Sequence, residues 1–350
     1  MNESLDAPGT ADALFDAVCI GETMVSFVGT DDPRRYVAIA AGAESNVAIG
    51  MARIGCRTRW VSRTGDDPLG SLVEESLTSA GVDVAVIRDP ARPTGVMVKH
   101  PSGSQKISSY YRSESAARIL GPDDLERSGR AHWIHLTGIT PALSGSARAL
   151  VHAVASRNFP HGSRVSFDVN YRPTLWPDAG TAAAALLPLA RMADLVFIGD
   201  DEAEALFGTL STQGLADLIL HDDAQVLVVK QGERGATAVM ANGEVSVPAL
   251  PTSPVDTTGA GDAFAAGYLA ASRSGWPVHT RLQLGHFLAS RVVAQIEDAV
   301  GVLTTEELED LTPPGLASLW STIGQSAESS GMVPASVREV EGTIIGGDVG

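Results

Sequence analysis

The sequence predicts a doubly wound α/β protein, in which helices cover both faces of a mostly parallel sheet. Short unbroken apolar runs recur along the 350 residues, and amphipathic stretches of about 10 to 15 residues separate them. Strands buried on both faces have continuous apolar runs, which is the pattern of a parallel sheet. Glycine is abundant, with 36 residues, whereas aromatic residues make up only 5%, a composition that suits helices packed closely on a sheet.

The predicted elements alternate in chain order. The first strand covers the apolar segment 15–29, FDAVCIGETMVSFVG. Further strands are predicted at 57–65, 132–138, 164–170, 193–200 and 224–232. The helical patterns between them lie at 45–55, 67–81, 146–158 and 181–193. Strand and helix patterns therefore mostly alternate from residue 15 to about residue 200, as in a doubly wound sheet.

Two segments depart from this alternation. Residues 30–41 and 94–112 alternate polar with apolar side chains, and a PSGS turn divides the second segment. This pattern is typical of an antiparallel hairpin with one solvated face, so we expect a small β lid inserted in the α/β frame. Residues 1–14 are predicted to be a loose leader, and the Pro/Gly/Ser-rich residues 313–350 a tail of uncertain order. The folded domain is thus expected to span 15–312.

The charge balance excludes several classes of partner. With 25 Lys and Arg against 42 Asp and Glu, the net charge is −17, which repels nucleic acid and anionic lipid. The N-terminus lacks the basic and apolar regions of a signal peptide, and no apolar run is long enough to cross a bilayer. Cys19 and Cys56 lie in apolar stretches without metal-ligand spacing. We therefore expect buried thiols and a cytoplasmic location.

The most informative segment is 255–267, VDTTGAGDAFAAG. Gly259, Ala260 and Gly261 precede an amphipathic helical run, and a glycine-rich turn at a helix start directs backbone N–H groups and partial positive charge at an anion. Asp262 lies in the first turn, where its carboxylate could accept a proton from an attacking hydroxyl. We expect the helix terminus to keep that carboxylate ionised. The alternative is a plain tight turn with Asp262 as a helix cap.

Two signatures resemble the PfkB, or ribokinase-like, family of carbohydrate kinases. The segment 255–267 is similar to the C-terminal signature of that family, and 41–55, AGAESNVAIGMARIG, resembles the N-terminal one. The DVN strand end at 168–170 and the KQGERG turn at 230–235 also resemble the pattern of this family. The resemblance covers about residues 15 to 310 and implies a ribokinase-like fold. It implies that Asp262 is the base on the sugar hydroxyl and that the backbone of 259–261 is the anion hole.

The same resemblance implies binding of ATP and Mg²⁺. Nucleotide-binding residues carried over from the family are Asn170, Arg172, Lys230, Gly232, Gly235, Gly259 and Gly261. Glu202 would act on Mg²⁺ through water, and Asp256, with Thr258, resembles the site of a monovalent cation such as K⁺. Three positions depart from the family pattern. Residues 199–202 read GDDE where many relatives have Asn-x-x-Glu, His286 replaces an asparagine beside the adenine, and Ala41 replaces a glycine.

Two arginines point to an anionic sugar. Arg112 follows the second lid segment and Arg172 follows a buried strand, and two arginines can clamp a carboxylate or phosphate. The alternative is that each is a surface arginine paired with an acid such as Glu114. The segments SSYYRSESAARILGPDDL and DVNYRPTLW resemble the branch of the family that phosphorylates 2-keto-3-deoxygluconate. That resemblance implies substrate contacts by Gly42, Asn46, Tyr110, Arg112, Arg172 and Asp262.

The resulting hypothesis is an ATP-dependent kinase that converts 2-keto-3-deoxygluconate to 2-keto-3-deoxy-6-phosphogluconate. The alternatives are a PfkB kinase for 5-dehydro-2-deoxygluconate, fructose or ribose, and a non-catalytic sugar-sensing protein on the same fold. A dehydrogenase is disfavoured because no dinucleotide-binding glycine pattern follows the first strand. The expected partners are a small acid sugar and ATP, with no nucleic acid and no membrane. A homo-oligomer is predicted to form through the β lid.

Overall fold

The computed structural model describes residues 14–30, 32, 34–100, 107–157, 162–253, 255–295, 298–309, 311–312 and 314–316. The strands are β1 (Leu14–Ile20), β2 (Met24–Gly29), β3 (Tyr36–Ala41), β4 (Thr58–Gly65), β5 (Asp83–Asp89), β6 (Val96–His100), β7 (Ile107–Tyr111), β8 (Arg130–Thr137), β9 (Arg164–Asp168), β10 (Leu195–Gly199), β11 (Val226–Lys230), β12 (Ala236–Met240) and β13 (Gly243–Val247). The helices are α1 (Ala43–Arg53), α2 (Pro68–Ser79), α3 (Thr140–Leu143), α4 (Gly145–Ala155), α5 (Ala179–Met192), α6 (Asp200–Phe207), α7 (Thr212–Ile219), α8 (Ala260–Arg273), α9 (Val278–Val293) and α10 (Thr305–Glu309).

Nine strands form the large sheet, in the order β13-β12-β11-β10-β9-β8-β1-β4-β5. Neighbours from β11 to β5 pair in parallel, and β12 and β13 extend one edge in the antiparallel sense. The doubly wound, mostly parallel α/β class predicted from the sequence is therefore confirmed.

Two apolar cores lie on opposite faces of this sheet. Successive side chains of a strand point to opposite faces, so Ile198 of β10 joins one core with Phe167, and Phe197 joins the other with Trp60 and Tyr268. The second core includes α1, α8 and α9, and the signature motifs lie on α1 and α8. Burial on both faces explains why these strands appear as continuous apolar runs in the sequence.

A second sheet of four strands, β3-β2-β6-β7, forms the lid. Strands β6 and β7 make the hairpin expected in segment 94–112, and the PSGS turn between them lies outside the described residues. The lid also takes β2, which pairs antiparallel with β3 and parallel with β6. The prediction of one strand over 15–29 was therefore wrong, because that segment divides between the two sheets.

Packing around residues 21–23 explains the division. A Cβ placed on Gly21 would lie 2.1 Å from the carboxyl carbon of Glu44, so the chain passes directly against a buried carboxylate. The next residue, Glu22, is itself buried and ion-paired with Arg112 of the lid segment. Two polar residues, Glu22 and Thr23, interrupt the apolar pattern of the sequence at this point, and the backbone turns there to reach the lid.

The predicted ends of the domain fall mostly outside the described residues. Strand β1 begins at Leu14, the last residue of the predicted leader 1–14. Of the predicted tail 313–350, the structure describes only 314–316, where Leu316 is buried in the second core. Among the described residues, none of the helices combines the length and apolar content needed to cross a bilayer.

Candidate active site

The carboxyl ends of two parallel strands of the sheet meet the start of α8. Asp168 ends β9, Lys230 ends β11, and Asp262 lies in the first turn of α8. Ligands of doubly wound sheets bind beyond the carboxyl ends of the strands. The structure thus brings the DVN strand end, the KQGERG turn and the GAGD segment to one edge of the sheet.

The turn before α8 requires glycine at its first position. Gly259 has a φ of +79°, and a Cβ there would lie 1.8 Å from the carbonyl oxygen of Asp298. The Ala260 N–H donates a 3.3 Å hydrogen bond to the Thr257 carbonyl. A Cβ on Gly261 would lie 3.1 Å from the Lys230 Nζ. The helix start and a lysine ammonium therefore adjoin the same small turn, which favours an anion there.

Asp262 is buried between two asparagines. Its Oδ2 accepts a 2.9 Å hydrogen bond from Asn46 Nδ2, and its Oδ1 a longer one of 3.4 Å from Asn170 Nδ2. Burial raises the pKa of Asp262 to about 7, and the Asn46 hydrogen bond opposes this rise. The expectation that the helix terminus keeps the carboxylate ionised was therefore wrong near neutral pH, since burial outweighs the helix terminus. Near neutral pH this carboxyl group can both take and release a proton.

Helix α1 holds Asn46 in place through a buried acid. Glu44, in the first turn, accepts hydrogen bonds of 2.7 Å from the hydroxyls of both Thr137 and Thr140. These threonines lie at and just after the end of β8, so α1 is tied to the same edge of the sheet. Gly42 precedes α1, and a Cβ there would lie 2.4 Å from the Glu22 carbonyl oxygen. Glu44 was not among the predicted site residues, although a glutamate in an otherwise apolar helix pattern is a usable signal.

Lys230 is paired with a buried carboxylate. Its Nζ donates a 2.6 Å hydrogen bond to Asp168 Oδ2. Burial alone would lower the pKa of Lys230, but Asp168 and Glu202 raise it above its ordinary value, so the ammonium stays charged. Asp168 is the partner that the sequence analysis missed, because it was read only as a strand end.

Glu202 and Arg172 lie beside this pair. Glu202 Oε2 accepts a 2.9 Å hydrogen bond from the Gly199 N–H, and burial raises the pKa of its carboxyl group. Arg172 Nη1 lies 3.6 Å from Glu202 Oε1 while 51% of its side chain is exposed. Its charge also lowers the pKa of Asp262. Arg172 can therefore move towards a ligand without breaking a close ion pair.

Arg112, unlike Arg172, is mostly buried and closely paired with an acid. It forms an ion pair with the buried Glu22, whose Oε1 also accepts a 2.5 Å hydrogen bond from the Ser115 hydroxyl. Only 10% of the Arg112 side chain is exposed. Tyr110 precedes it on β7 and is half exposed. Glu22 was not predicted as the partner of Arg112, because it lies 90 residues away in the chain.

The KQGERG turn closes on itself after β11. The Gln231 N–H donates to the Gly235 carbonyl at 2.8 Å, and Gly232 and Gly235 have φ values of +57° and +113°. A Cβ on Gly235 would lie 2.1 Å from the Val247 carbonyl oxygen. Glycine is thus required at 235 by the approach of β13, whereas Gly232 is exposed and open to a ligand.

A buried ion cluster adjoins the other side of the glycine turn. Lys99, from the lid strand β6, donates a 2.5 Å hydrogen bond to Asp298 Oδ1, and its Nζ lies 3.7 Å from Asp256 Oδ2. Asp256 Oδ1 accepts hydrogen bonds from the Thr258 N–H and hydroxyl, at 3.0 and 2.9 Å. Neither Lys99 nor Asp298 was singled out in the sequence, because their separation of 199 residues leaves no local pattern.

His286, expected beside the adenine, is buried with Nε2 3.1 Å from the Val247 carbonyl oxygen and its ring against Phe264. Burial lowers its pKa to about 4, so the ring is neutral. In the part of the chain that the structure describes, no group of three or more His, Cys, Asp or Glu side chains is placed to hold a metal.

On this fold, the start of α8 favours an anion, and the buried Asp262 carboxylate lies beside it. Together they define a phosphotransferase with an alcohol group as acceptor. The model of the pfkB family carbohydrate kinases matches residues 15–304. The chain belongs to this family and is a carbohydrate kinase.

Relatives with assigned activities cover most of the chain. A 2-dehydro-3-deoxygluconokinase of Bacillus subtilis is 36% identical over 305 residues, covering 84% of this chain and 94% of that protein. A 2-dehydro-3-deoxygluconokinase of Thermoproteus tenax is 35% identical and covers 86% of this chain and 95% of that protein. Among solved structures, a fructokinase of Vibrio cholerae with bound fructose, ADP and calcium is 25% identical with a TM-score of 0.75, covering 86% of this chain and 99% of that one.

Proposed function

We propose that the protein phosphorylates 2-keto-3-deoxygluconate with ATP and gives 2-keto-3-deoxy-6-phosphogluconate. The observation that carries the proposal is Asp262, held between Asn46 and Asn170 at the start of α8, with the charge of Arg172 nearby. The same substrate, named 2-dehydro-3-deoxygluconate, is the one in the names of the relatives from Bacillus subtilis and Thermoproteus tenax.

The proposed chemical step is a single displacement at the γ-phosphorus of ATP. The sugar hydroxyl oxygen forms a bond to phosphorus, the bond from phosphorus to the β,γ-bridging oxygen breaks, and ADP leaves. Asp262 takes the hydroxyl proton, for which a pKa of about 7 suits a base at neutral pH. The backbone of 259–261 and the Lys230 ammonium stabilise the charge that develops on the phosphoryl oxygens.

Arg172 is the residue that we assign to the carboxylate of the sugar. Its side chain is half exposed and its ion-pair partner, Glu202, is 3.6 Å away, so it can form a bidentate pair with an incoming carboxylate. Arg112 is already paired with Glu22, so we assign it a weaker contact with the sugar. Tyr110 and Gly42 are assigned the other contacts with the sugar. These unequal roles of Arg172 and Arg112 differ from the sequence prediction, in which both arginines clamp the carboxylate.

The nucleotide is assigned to the edge formed by Asn170, Lys230, Gly232 and Gly235. Glu202 is assigned the water-mediated role towards Mg²⁺ because it lies in the first turn of α6, directly after β10, at the same edge of the sheet as Lys230. When bound, Mg²⁺ would screen the charge of the phosphate oxygens. The monovalent cation predicted at Asp256 fits less well, because the Lys99 ammonium already lies beside that carboxylate.

The test is ADP release by the purified protein with Mg-ATP and one sugar at a time. The sugars are 2-keto-3-deoxygluconate, 5-dehydro-2-deoxygluconate, gluconate, fructose and ribose, and the Asp262→Asn variant is the control. Turnover of the first sugar alone, lost in the variant, supports the proposal. Preference for a neutral sugar refutes the role of Arg172, and ATP binding without turnover of any sugar favours a sugar-sensing protein.

A homo-oligomer through the lid and a cytoplasmic location stay predictions. Strands β3 and β7 are the two edges of the lid sheet, and Val37 and Tyr111 on them are 54% and 66% exposed. Exposed apolar edge strands are open to pairing with another chain, which supports the oligomer. Sedimentation velocity measures it directly, and a monomer throughout the assay range of concentrations contradicts it.

A further inference from the structure

The buried ion cluster of Lys99, Asp256 and Asp298 does not fit the monovalent cation expected beside Asp256. The Lys99 ammonium lies between the two carboxylates, 2.5 Å from Asp298 Oδ1 and 3.7 Å from Asp256 Oδ2. All three residues are buried, with exposed fractions of 8% or less. A cation bound to these carboxylates would compete for the same oxygens with an ammonium that already compensates one of their two negative charges.

The cluster is connected to the glycine turn through both acids. Asp256 Oδ1 accepts two hydrogen bonds from Thr258, the residue directly before Gly259. The Asp298 carbonyl oxygen lies so close to Gly259 that no side chain fits between them. The geometry of the proposed anion hole therefore depends on two carboxylates that repel each other unless a positive charge lies between them.

Lysine is rare in this chain and occurs at few positions. The chain has 3 lysines among its 25 basic residues, at positions 99, 106 and 230. Lys99 is buried and Lys230 partly buried, and each is paired with an aspartate beside the glycine turn. Arginine is used at every other basic position. A compact ammonium resembles a monovalent cation in charge and size more closely than a planar guanidinium does.

The lid supplies this ammonium. Lys99 lies two residues from Met97, which pairs with Tyr110 across the β6–β7 hairpin, so Lys99 and Tyr110 lie on the same face of the lid sheet. That face contains the tyrosine assigned to the sugar. The cluster thus connects the lid to the turn that precedes α8.

We propose that the ε-ammonium of Lys99 takes the place of a monovalent cation, so that turnover does not depend on K⁺. Lys99 is a positioning residue, because it acts through Asp256 and Asp298 on the backbone of the turn. The inference rests on the proposed function only in its activity assay, which requires turnover of the proposed sugar. Its thermal assay does not use a substrate.

The activity test compares KCl with tetramethylammonium chloride at equal ionic strength, with ATP and the sugar supplied as Tris salts. We expect wild-type kcat to change by less than about twofold between the two salts. In tetramethylammonium chloride, Lys99→Met should lose at least about tenfold in kcat, because one partner of a buried ion cluster is gone. KCl should restore most of that loss, since K⁺ can then enter between the carboxylates. Arg157→Met, which removes an exposed partner of Asp194 at the opposite end of the strands, should match the wild type in both salts.

The thermal test measures the unfolding midpoint of the same proteins without substrate. K⁺ should raise the midpoint of Lys99→Met relative to tetramethylammonium, and should leave the wild type and Arg157→Met unchanged. Activation of the wild type by K⁺, a rise in its midpoint specific to K⁺, or full activity of Lys99→Met without K⁺ overturns the proposal. Lack of turnover on every sugar, together with the expected thermal result, contradicts the proposed function and leaves this inference standing.

Discussion

Asn46 and Asp262, 216 residues apart in the chain, share a buried hydrogen bond of 2.9 Å between Nδ2 and Oδ2. It joins the first turn of α1 to the first turn of α8 and therefore connects the two signature motifs. The bond stabilises the ionised form of a carboxyl group that burial would otherwise keep protonated. Asn46 thus favours the ionised form of the proposed base and also holds it in position.

Replacement of Asp262 by asparagine is expected to lower kcat by about 10² to 10⁴, the usual contribution of a positioned proton acceptor. Asparagine keeps the size and can still pair with Asn46 or Asn170, so the KM for ATP should change little. Steady-state ADP release measures both constants. A variant with kcat near that of the wild type excludes Asp262 as the base.

The pH dependence of kcat/KM should report the pKa of Asp262. Activity is expected to rise with pH through a midpoint near the value of about 7, because only the ionised carboxylate accepts a proton. In Asn46→Leu the hydrogen bond that lowers this pKa is absent, so the midpoint should move to higher pH. The pH–rate profiles of the two proteins give both midpoints. An unchanged midpoint in the variant contradicts the role of Asn46 in protonation.

The stability of the protein should also depend on the ionisation of Asp262. Its pKa is raised from 3.8 in the unfolded chain to about 7 in the folded one, so its contribution to stability is present at low pH and lost as pH rises through 7. The difference corresponds to a penalty of about 4 kcal/mol for ionising the buried group. Asp262→Asn has no such penalty. Its free energy of unfolding should exceed that of the wild type by more at about pH 8 than at about pH 5.

Chemical denaturation at the two pH values tests this linkage. In the opposite result, the free energy of unfolding of the variant exceeds that of the wild type by more at about pH 5 than at about pH 8. That result would mean that the folded protein holds the carboxylate ionised.

Arg172→Gln should separate an acid sugar from a neutral one. Loss of a charged hydrogen-bond pair is expected to lower kcat/KM for 2-keto-3-deoxygluconate by about 10- to 150-fold. A neutral sugar such as fructose has no carboxylate and should lose far less. Arg157→Gln, a change of the same kind at the Asp194 ion pair, is the control and should lose neither activity. Equal losses on both sugars contradict the assignment of Arg172 to the carboxylate.

Gly259→Ala should abolish most of the activity, because its Cβ would overlap the Asp298 carbonyl and displace the turn. We expect a loss of about 10² or more in kcat, the size of effect seen when an anion-stabilising donor is misplaced. Gly275→Ala is a matched control, since Gly275 also has a positive φ, of +72°, but a Cβ added there would point into open space among the described residues. It should cost some stability through backbone strain and leave kcat unchanged. A Gly259→Ala variant as active as Gly275→Ala would contradict the role of the turn.

The sequence predicted the fold because both of its signals are local. Apolar runs and amphipathic stretches describe the faces of strands such as β10 and of helices such as α1, and the structure confirms the parallel sheet. The boundary at residues 21–23 was not predictable in this way. It depends on Glu22 and Glu44, whose partners lie far along the chain.

The same limit applies to the candidate site. Glycine turns and strand ends are local, so the positions of Gly259, Asp262 and Lys230 could be predicted. Long-range ion pairs such as Lys99 with Asp298 leave no pattern within a sequence window. The direction of the pKa shift of Asp262 also depends on burial by distant elements, and for that reason the helix terminus alone gave the wrong expectation.

In the proposed reaction this kinase transfers phosphate to an acid sugar, with Asp262 as the base. The most direct test compares kcat/KM for 2-keto-3-deoxygluconate and for fructose, in one ADP-release assay with the same preparation. A preference of about 10² or more for the acid sugar, lost together with turnover in Asp262→Asn, is the predicted result. Equal or greater efficiency with fructose would exclude an acid sugar as the preferred acceptor.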